Sequence, residues 1–322
     1  MTLLRRLLMG GAGGGAYSLH EQDRWVRQGT VLEPLAGSWE APGILEPSVL
    51  YEDGVFKMWY RGGGLHASPD SQVGYATSSD GLTWTRHGSN PILGAGVGGE
   101  AANAFEPNMY HDGSTYYLYY NTASTMKVAT SATGLASFTI ANTGLSLPTG
   151  AIYFGNSTVW REGASWYMLF DAYLNVPDYW GVYYATSANG TSWTLANGGA
   201  QLTSLRIVVD GTYGSMHMAE GMPTIDGKYH AWYHASDVDS NIYSDIYHAY
   251  STDRINWTIV TPSPILTRLG TDYEITQIAD PAIIEVSGTS YMFYDADDIA
   301  TDIAAIRLAT FSGTLSQLVG NR

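Results

Sequence analysis

One strand–turn–strand segment recurs along the chain and constrains its fold more than any other feature. The first copy begins at Glu46 as EPSVLYEDGVFKMWYRGGG and continues, after an insert, as VGYATSSDGLTWT. Short apolar or alternating runs separated by Glu-Asp-Gly and Ser-Asp-Gly turns are typical of β-hairpins. This copy therefore predicts four antiparallel strands, at Pro47–Tyr51, Val55–Tyr60, Val73–Thr77 and from Leu82 to Thr85.

Further copies of the same pattern open at Glu106, Asn156, Glu220 and Asp280. A single four-stranded sheet cannot cover its own apolar face, so neighbouring copies must pack against one another. We therefore predict an all-β fold, a single five-bladed β-propeller with four-stranded antiparallel blades and a short N-terminal appendage. The turn glycines of the copies are Gly54, Gly113, Gly163, Gly227 and Gly288. The predicted blades lie near residues 46–85, 106–140, 156–195, 220–260 and 280–318.

The chain before the first blade is predicted to have two parts. Residues 1–16, MTLLRRLLMGGAGGGA, combine leucines at helical spacing with a glycine run, which we interpret as a docking peptide for an assembly partner and a flexible linker. The apolar run is too short for an export signal. The propeller is expected to cover residues 17–322, with a strand from residues 17–45 completing the last blade.

Charge and composition exclude several functions. The chain has 15 basic and 30 acidic residues, and its net charge of −15 disfavours nucleic acid and anionic membrane surfaces as partners. No apolar run approaches the ~18 residues that a membrane span requires. The absence of cysteine excludes thiol catalysis and Cys-ligated zinc. We predict no metal or cofactor, with a structural Ca²⁺ near Asp295 and Asp297 as the alternative.

The residues that open the five copies are the candidate functional residues. The innermost strands of a propeller start together at one mouth of its central funnel, so these side chains are expected to face a common pocket. Crowded carboxylates raise each other's pKa values, as at many catalytic sites. A carboxylate beside proline can also cap a turn, which explains one or two copies but not four at one register. The opening residues are Glu46, Glu106, Asn156, Glu220 and Asp280.

Residues 40–320 resemble the five-bladed propeller glycoside hydrolases, the group of arabinanases, β-xylosidases, levansucrases, invertases and mannoside phosphorylases. The motifs are shared by many activities within this group, so they identify the architecture better than the substrate. The residues that carry the resemblance are Glu46-Pro47, Glu106-Pro107, Glu220-Gly221, Asp280-Pro281, the strand Met58–Arg61 and the turn Tyr75–Gly81.

The resemblance to the arabinanase branch implies catalytic roles. In that branch a first-blade carboxylate is the general base, a third-blade Asp adjusts the pKa, and a fourth-blade Glu is the general acid. It implies Glu46 as base or nucleophile and Glu220 as acid. This chain has Glu46 where that branch usually has Asp, and Asn156 where it has the third-blade Asp. Asp171 on the same blade is a candidate substitute, and Glu106 is an alternative third carboxylate.

Other residues are predicted to bind substrate, and for Arg61 and Trp39 a structural role is the alternative. Arg61 would clamp a sugar hydroxyl or a carboxylate, or form a salt bridge to Glu46 or Asp295. Trp39 lies just before the first inner strand, where it would pack or bind sugar. The further predicted substrate contacts are Asp280, Asn156, Asp171 and His217 from the funnel mouth, and Tyr153 and Tyr173 as sugar subsites.

We expect a glycoside hydrolase acting on a neutral poly- or oligosaccharide, with a carbohydrate as its partner. The alternative is a non-catalytic glycan-binding propeller of a phage virion or a cell-surface assembly, which would bind a host-surface glycan. A scaffold for protein partners is a third interpretation and predicts a funnel mouth blocked by side chains. The expected location is extracellular or virion-associated, and a cytoplasmic location stays open.

Overall fold

The computed structural model describes residues 21–64, 71–175, 178–203, 208–209, 212–213, 216–218, 224–236, 244–260 and 264–320. The predicted docking peptide, residues 1–16, lies outside the described residues. Strands dominate the described ranges, which also contain the helix α1 (Leu315–Val319) and short 3-10 turns at Glu21–Asp23 and Asn197–Gly199. No helix in these ranges is long and apolar enough to cross a membrane.

The strands form antiparallel sheets that follow one another along the chain. The first strand is β1 (Val26–Leu32). The first sheet contains β2 (Ile44–Glu52), β3 (Val55–Gly62), β4 (Gln72–Ser78), β5 (Thr85–Arg86) and β6 (Leu93–Gly94). The second contains β7 (Phe105–His111), β8 (Tyr116–Asn121), β9 (Met126–Ser131) and β10 (Thr139–Asn142). The third contains β11 (Ala151–Glu162), β12 (Ser165–Asn175), β13 (Asp178–Ser187) and β14 (Trp193–Leu195).

The remaining strands form a short pair and a larger sheet. The pair is β15 (Val208–Val209) with β16 (Thr212–Tyr213). One part of the larger sheet contains β17 (Met216–Met218), β18 (Thr224–Ile225), β19 (Lys228–Ser236), β20 (Ser244–Ser251) and β21 (Trp257–Ile259). The other part contains β22 (Gln277–Val286), β23 (Thr289–Asp298) and β24 (Ile303–Phe311). A parallel bridge from Ser244 to Gln277 joins the two parts.

The strand predicted from residues 17–45 is confirmed as β1. It pairs antiparallel with β24, so the last sheet has the order β22–β23–β24–β1, with its outer strand supplied from near the beginning of the chain. The prediction of a fold built almost entirely from antiparallel strands is also confirmed, and the second and third sheets have four strands each. This architecture is consistent with propeller blades.

The repeated Ser-x-Asp-Gly-x-x-Trp segment forms a hydrogen-bonded turn after the third strand. Ser78 Oγ accepts the N–H groups of Asp80 and Gly81, and Asp80 Oδ1 accepts those of Leu82 and Thr83. Trp84 donates its indole N–H to the Gly81 carbonyl at 3.1 Å. Side-chain oxygens of Ser and Asp favour such turns because they satisfy the backbone locally. The same bonds recur at Ser187–Trp193 and Ser251–Trp257.

The hydrophobic core consists of clusters between successive sheets. Trp59 and Val73 of the first sheet pack with Leu118 and Tyr120 of the second. Similar clusters join the second to the third sheet, the third to β19–β20, and β19–β20 to β22–β24. A further cluster joins the last sheet to the first, with Phe293, Ile306 and Leu308 against Ile44 and Met58.

The first strands of the sheets converge on a cavity of about 680 Å³. Its walls are largely apolar, and helix α1 closes part of one side through Leu315. Each inner strand contributes residues that lie two to six positions after its opening residue. The apolar side chains at these positions include Val49, Met109, Val159, Ile225 and Ile283.

Candidate active site

Three of the predicted opening residues share an unusual backbone conformation. Glu46, Glu106 and Asp280 have φ angles of 56°, 56° and 47°. At each of them the pairing of the inner strand skips two residues, between Leu45 and Ser48, Phe105 and Asn108, and Ala279 and Ala282. A proline follows each of these three residues. Because proline has no N–H, it needs no hydrogen-bond acceptor on the neighbouring strand. A non-glycine residue at positive φ costs about 1–3 kcal/mol, and such strain clusters at functional sites.

The strained backbone is held by side chains from the preceding sheet. Glu46 donates its N–H to Asp295 Oδ1 at 3.3 Å, and Glu106 donates its N–H to Glu46 Oε2 at 2.7 Å. Asp280 donates its N–H to His234 Nδ1 at 3.0 Å. The same nitrogen lies 3.3 Å from Asp280 Oδ1. These bonds connect the last sheet to the first, the first to the second, and β19 to β22.

A second set of buried polar residues lies at one position of the second strand in every copy. Each follows a pair of large apolar or aromatic residues, such as Trp59-Tyr60 or Phe293-Tyr294. Sequence reasoning identified Arg61 and Asp171 and named Asp295 only as an alternative partner of Arg61 or of Ca²⁺. It assigned no role to Asn121 and His234, although alignment of the copies at this position would have found them. The set is Arg61, Asn121, Asp171, His234 and Asp295, each at most 5% exposed.

Arg61 forms a buried ion pair with Glu46. Its Nη1 lies 2.6 Å from Glu46 Oε1, and both side chains are less than a tenth exposed. Arg61 also donates to the Gly64 carbonyl and lies over the Phe105 ring. Of the two predicted roles for Arg61, the salt bridge to Glu46 is present in the structure. A guanidinium at this distance favours the ionised form of the Glu46 carboxylate.

Other carboxylates around the same centre favour their protonated forms. Burial, followed by the charges of Glu46, Asp171 and Asp280, raises the pKa of Glu106 well above its usual range. Burial and the charges of Asp280, Asp297 and Glu46 raise the pKa of Asp295 in the same direction. Such a centre can present an ionised and a protonated carboxyl together near neutral pH, which is the requirement for paired acid and base chemistry.

Asn156, the opening residue of the third copy, bonds to Asp280 and follows a glycine that lies against Asp171. Asn156 donates from Nδ2 to Asp280 Oδ1 at 2.7 Å. The preceding residue, Gly155, lies so close to Asp171 that a Cβ there would be 1.9 Å from Asp171 Oδ1. Glycine is required at this close approach. Asp171 is fully buried against Gly155, and its role as the substitute carboxylate stays a prediction.

The remaining predicted residues divide into those described and those not described. Trp39 is half-buried, stacks on Tyr60 with ring centroids 6.0 Å apart and covers Gly62, so its contacts match the packing alternative. Residue Glu220 and the side chain of His217 lie outside the described residues. Within the described ranges, no group of three or more His, Asp or Glu side chains is arranged to hold a metal ion.

Solved structures of carbohydrate-active enzymes have the same fold as this chain. The catalytic domain of a GH62 α-L-arabinofuranosidase from Coprinopsis cinerea superposes with a TM-score of 0.65 at 14% identity, covering 91% of this chain and 98% of that one. An N-acetylgalactosamine deacetylase from F. plautii superposes with a TM-score of 0.73 at 13% identity, covering 92% and 96%. At these identities the likeness shows the fold alone, and fold does not specify the reaction.

About half of this chain is similar in sequence to arabinanases. No protein-family model matches the sequence. An arabinan endo-1,5-α-L-arabinosidase A from Aspergillus aculeatus is 29% identical over 163 residues, 46% of this chain and 47% of that enzyme. A protein of Neosartorya fischeri named probable arabinan endo-1,5-α-L-arabinosidase A is 29% identical over 162 residues, 47% of this chain and 48% of that one. The chain thus spans about half the length of these relatives. The predicted resemblance to the five-bladed propeller glycoside hydrolases is confirmed.

Proposed function

We propose that the chain is a glycoside hydrolase that cleaves a neutral poly- or oligosaccharide through carboxylates at the centre of a propeller. The observation that carries the proposal is the mixed environment of these carboxylates. Glu46 is paired with Arg61 at 2.6 Å, whereas burial and like charges raise the pKa of Glu106. Cleavage of a glycosidic bond requires this combination, one protonated carboxyl for the leaving oxygen and one ionised carboxylate.

The scaffold that we propose for this site is one closed five-bladed propeller over residues 17–322. Three features support it. Five copies of the repeat are present in the sequence, the last sheet packs on the first through Phe293 and Ile44, and five inner strands line one cavity. Closure by β1 from the beginning of the chain is expected, because it removes open sheet edges.

Each catalytic role follows from the chemistry of the group. Glu46 would remove a proton from the attacking water or attack the anomeric carbon itself, and Arg61 would keep it ionised. Glu220 would donate a proton to the leaving oxygen, as the resemblance implies. Glu106 would share the role of proton donor with Glu220, because its raised pKa favours the protonated carboxyl. Asp280 and Asn156, bonded to each other, would position sugar hydroxyls.

Arabinan is the substrate to test first, because the sequence relatives are named for its α-1,5 linkages. The net charge of −15 also favours a neutral polymer over an acidic one. Such a ligand lies outside cells, so we propose an extracellular or virion-associated location. Residues 1–16 would then bind an assembly partner.

The test is release of sugars from arabinan, xylan, galactan and mannan by the wild type and three variants. Glu46→Gln and Glu220→Gln remove the proposed base and acid, and we expect each to lower kcat by at least about 100-fold. Glu33→Gln is the matched control, because Glu33 is an exposed glutamate of the same chain, and it should keep full turnover. Undiminished release by Glu46→Gln and Glu220→Gln would contradict the assignment.

A second candidate is a glycan-binding propeller that does not cleave its ligand. It is favoured by Asn156, which cannot ionise, and by the neutralisation of Glu46 by Arg61. This candidate predicts that wild-type protein binds one of the four polysaccharides and releases no sugar from it. Such a result would replace hydrolysis by adhesion to a virion- or cell-surface glycan.

A further inference from the structure

Strand β11 of the third sheet begins farther before its opening residue than β2, β7 and β22 do. Strand β11 begins at Ala151, five residues before Asn156, whereas β7 begins one residue before Glu106. At ~3.3 Å per residue, five residues extend the sheet by roughly 16 Å. The partner strand β12 pairs with it as far as Leu174, three residues past Asp171, because the register is irregular between Ala151 and Tyr153 and between Phe154 and Ser157. This extension therefore forms a ledge beside the candidate active site.

Three aromatic side chains form a row across this ledge. Tyr153 of β11 pairs with Tyr173 of β12, which pairs with Trp180 of β13. The Tyr153 and Tyr173 rings stack at 6.2 Å with 16° between their planes, and the Tyr173 and Trp180 rings lie 5.3 Å apart. Tyr153 is 46% exposed, an unusual state for a large ring in a chain whose other aromatics are mostly buried. We name Tyr153, Tyr173 and Trp180 the aromatic row.

The aromatic row is continuous with the candidate active site. A Cβ on Gly155 would lie 2.7 Å from Trp180 Cζ3 and 1.9 Å from Asp171 Oδ1, so the indole and the carboxylate contact the same glycine. Gly155 directly precedes Asn156, whose amide binds Asp280. Tyr153 lies three positions before Asn156 on β11, roughly 10 Å along the strand, so a chain bound at the opening residues reaches Tyr153 with its more distant units.

We propose that the aromatic row binds successive sugar units of a polysaccharide chain next to the bond that is cleaved. The inference rests on the proposed function and deepens it, because it assigns a chain-binding site that favours attack within a polymer over removal of single end sugars. Flat rings bind the C–H faces of neutral sugars by dispersion and by burial of apolar area, without needing charge. A neutral polymer also avoids repulsion by the net charge of −15.

The experiment measures binding rather than turnover. Arabino-oligosaccharides of two to six units are titrated calorimetrically into the wild type, Tyr153→Ala and Tyr153→Trp, and the four polysaccharides are tested by affinity electrophoresis. We expect Tyr153→Ala to bind the hexasaccharide about 10-fold more weakly, with a smaller loss for the disaccharide, because only long chains reach Tyr153. Tyr153→Trp should restore binding, since it keeps a flat ring.

The matched control is Tyr51→Ala, because Tyr51 is an exposed tyrosine near the other end of an inner strand, 37% exposed. It should bind every probe as the wild type does. Equal affinity of Tyr153→Ala and wild type for long chains would overturn the proposal, as would a wild type that binds none of the glycans. Length-dependent loss in Tyr153→Ala without any sugar release by the wild type would support the aromatic row and reject hydrolysis.

Discussion

At the residue scale, burial and mutual repulsion raise the pKa values of carboxylates at the centre of the molecule. Asp297 is one of these carboxylates. It is 1% exposed, and its Oδ1 accepts a bond from the Thr276 hydroxyl at 2.6 Å. Burial, helped by the charges of Asp280, Asp298 and Asp302, raises the pKa of Asp297 from 3.8 to about 7, although the Thr276 bond opposes the shift. The folded protein therefore binds a proton here that the unfolded chain releases.

Because the folded protein binds this proton more tightly than the unfolded chain, its free energy of unfolding depends on pH. Since the folded pKa is the higher one, the contribution of Asp297 to stability is fully present below pH 3.8 and is lost as the pH rises to about 7. Asp297→Asn mimics the protonated side chain and removes the titration. We expect the stability of the wild type relative to this variant to fall by up to about 1.4 kcal/mol per pH unit in that window.

Urea unfolding at half-unit steps from pH 4 to pH 7.5 measures this difference. The control is Asp23→Asn, which changes an exposed aspartate. Its curve should run parallel to that of the wild type across the whole range. Parallel curves for Asp297→Asn as well would show that Asp297 does not hold a proton in the folded state.

At the scale of the strand, one position links neighbouring sheets. The second strand of each copy places a polar residue behind two large side chains, and in β19 this residue is His234. Its Nδ1 accepts the N–H of Asp280, which has a φ of 47°. A buried N–H without an acceptor costs roughly 1–3 kcal/mol, so the strained turn at Asp280 depends on the preceding strand.

Substitution of His234 tests this dependence. Asn places an oxygen close to the position of Nδ1, whereas Leu offers no acceptor. We expect His234→Leu to lower the free energy of unfolding by roughly 1–3 kcal/mol and His234→Asn to lower it by clearly less. Urea unfolding at pH 7 measures both, with His87→Leu at a half-buried site as control. Equal losses for Leu and Asn would mean that the acceptor at this position does not matter.

At the scale of the whole molecule, the beginning and the end of the described chain are joined. Strand β1 pairs with β24, and Arg24 donates to the Gln317 and Leu318 carbonyls at the end of α1. Glu21 is fully buried between the Trp232 indole N–H at 2.8 Å and His248 Nδ1 at 2.6 Å. Residues 21–32 therefore complete the last sheet and also contact β19 and β20.

Two truncations separate this junction from the predicted docking peptide. Removal of residues 1–32 deletes β1 and the buried Glu21, and we expect a loss of Tm of at least about 10 °C or a failure to fold, because a sheet edge and core residues become exposed. Removal of residues 1–16 should leave the Tm unchanged, since these residues are predicted to lie outside the propeller. Thermal unfolding followed by circular dichroism distinguishes the two. An equal Tm for both truncations would contradict the role of β1.

Much of this organisation was predictable from local patterns. Alternating strands and Asp-Gly turns have fixed local signatures, so the sheets, the turns at Ser78 and Ser187, and the completing strand β1 follow from short stretches of sequence. The repeat also indicated that Glu46, Glu106 and Asp280 are equivalent, and all three have a positive φ. The roles of these residues in catalysis stay predictions, since no distance along the chain reports which group holds a proton.

Only the tertiary structure decided how the equivalent positions differ. The pairing of Arg61 with Glu46, the acceptance of the Asp280 N–H by His234 and the approach of Gly155 to Asp171 each depend on distances between strands. The raised pKa of Glu106 depends on burial among carboxylates from three other sheets. Sequence alone determined the repeating unit because strand and turn formation are local. The assembly of those units determined the charge state of the centre, because electrostatic energy depends on separation in space and on exclusion of water.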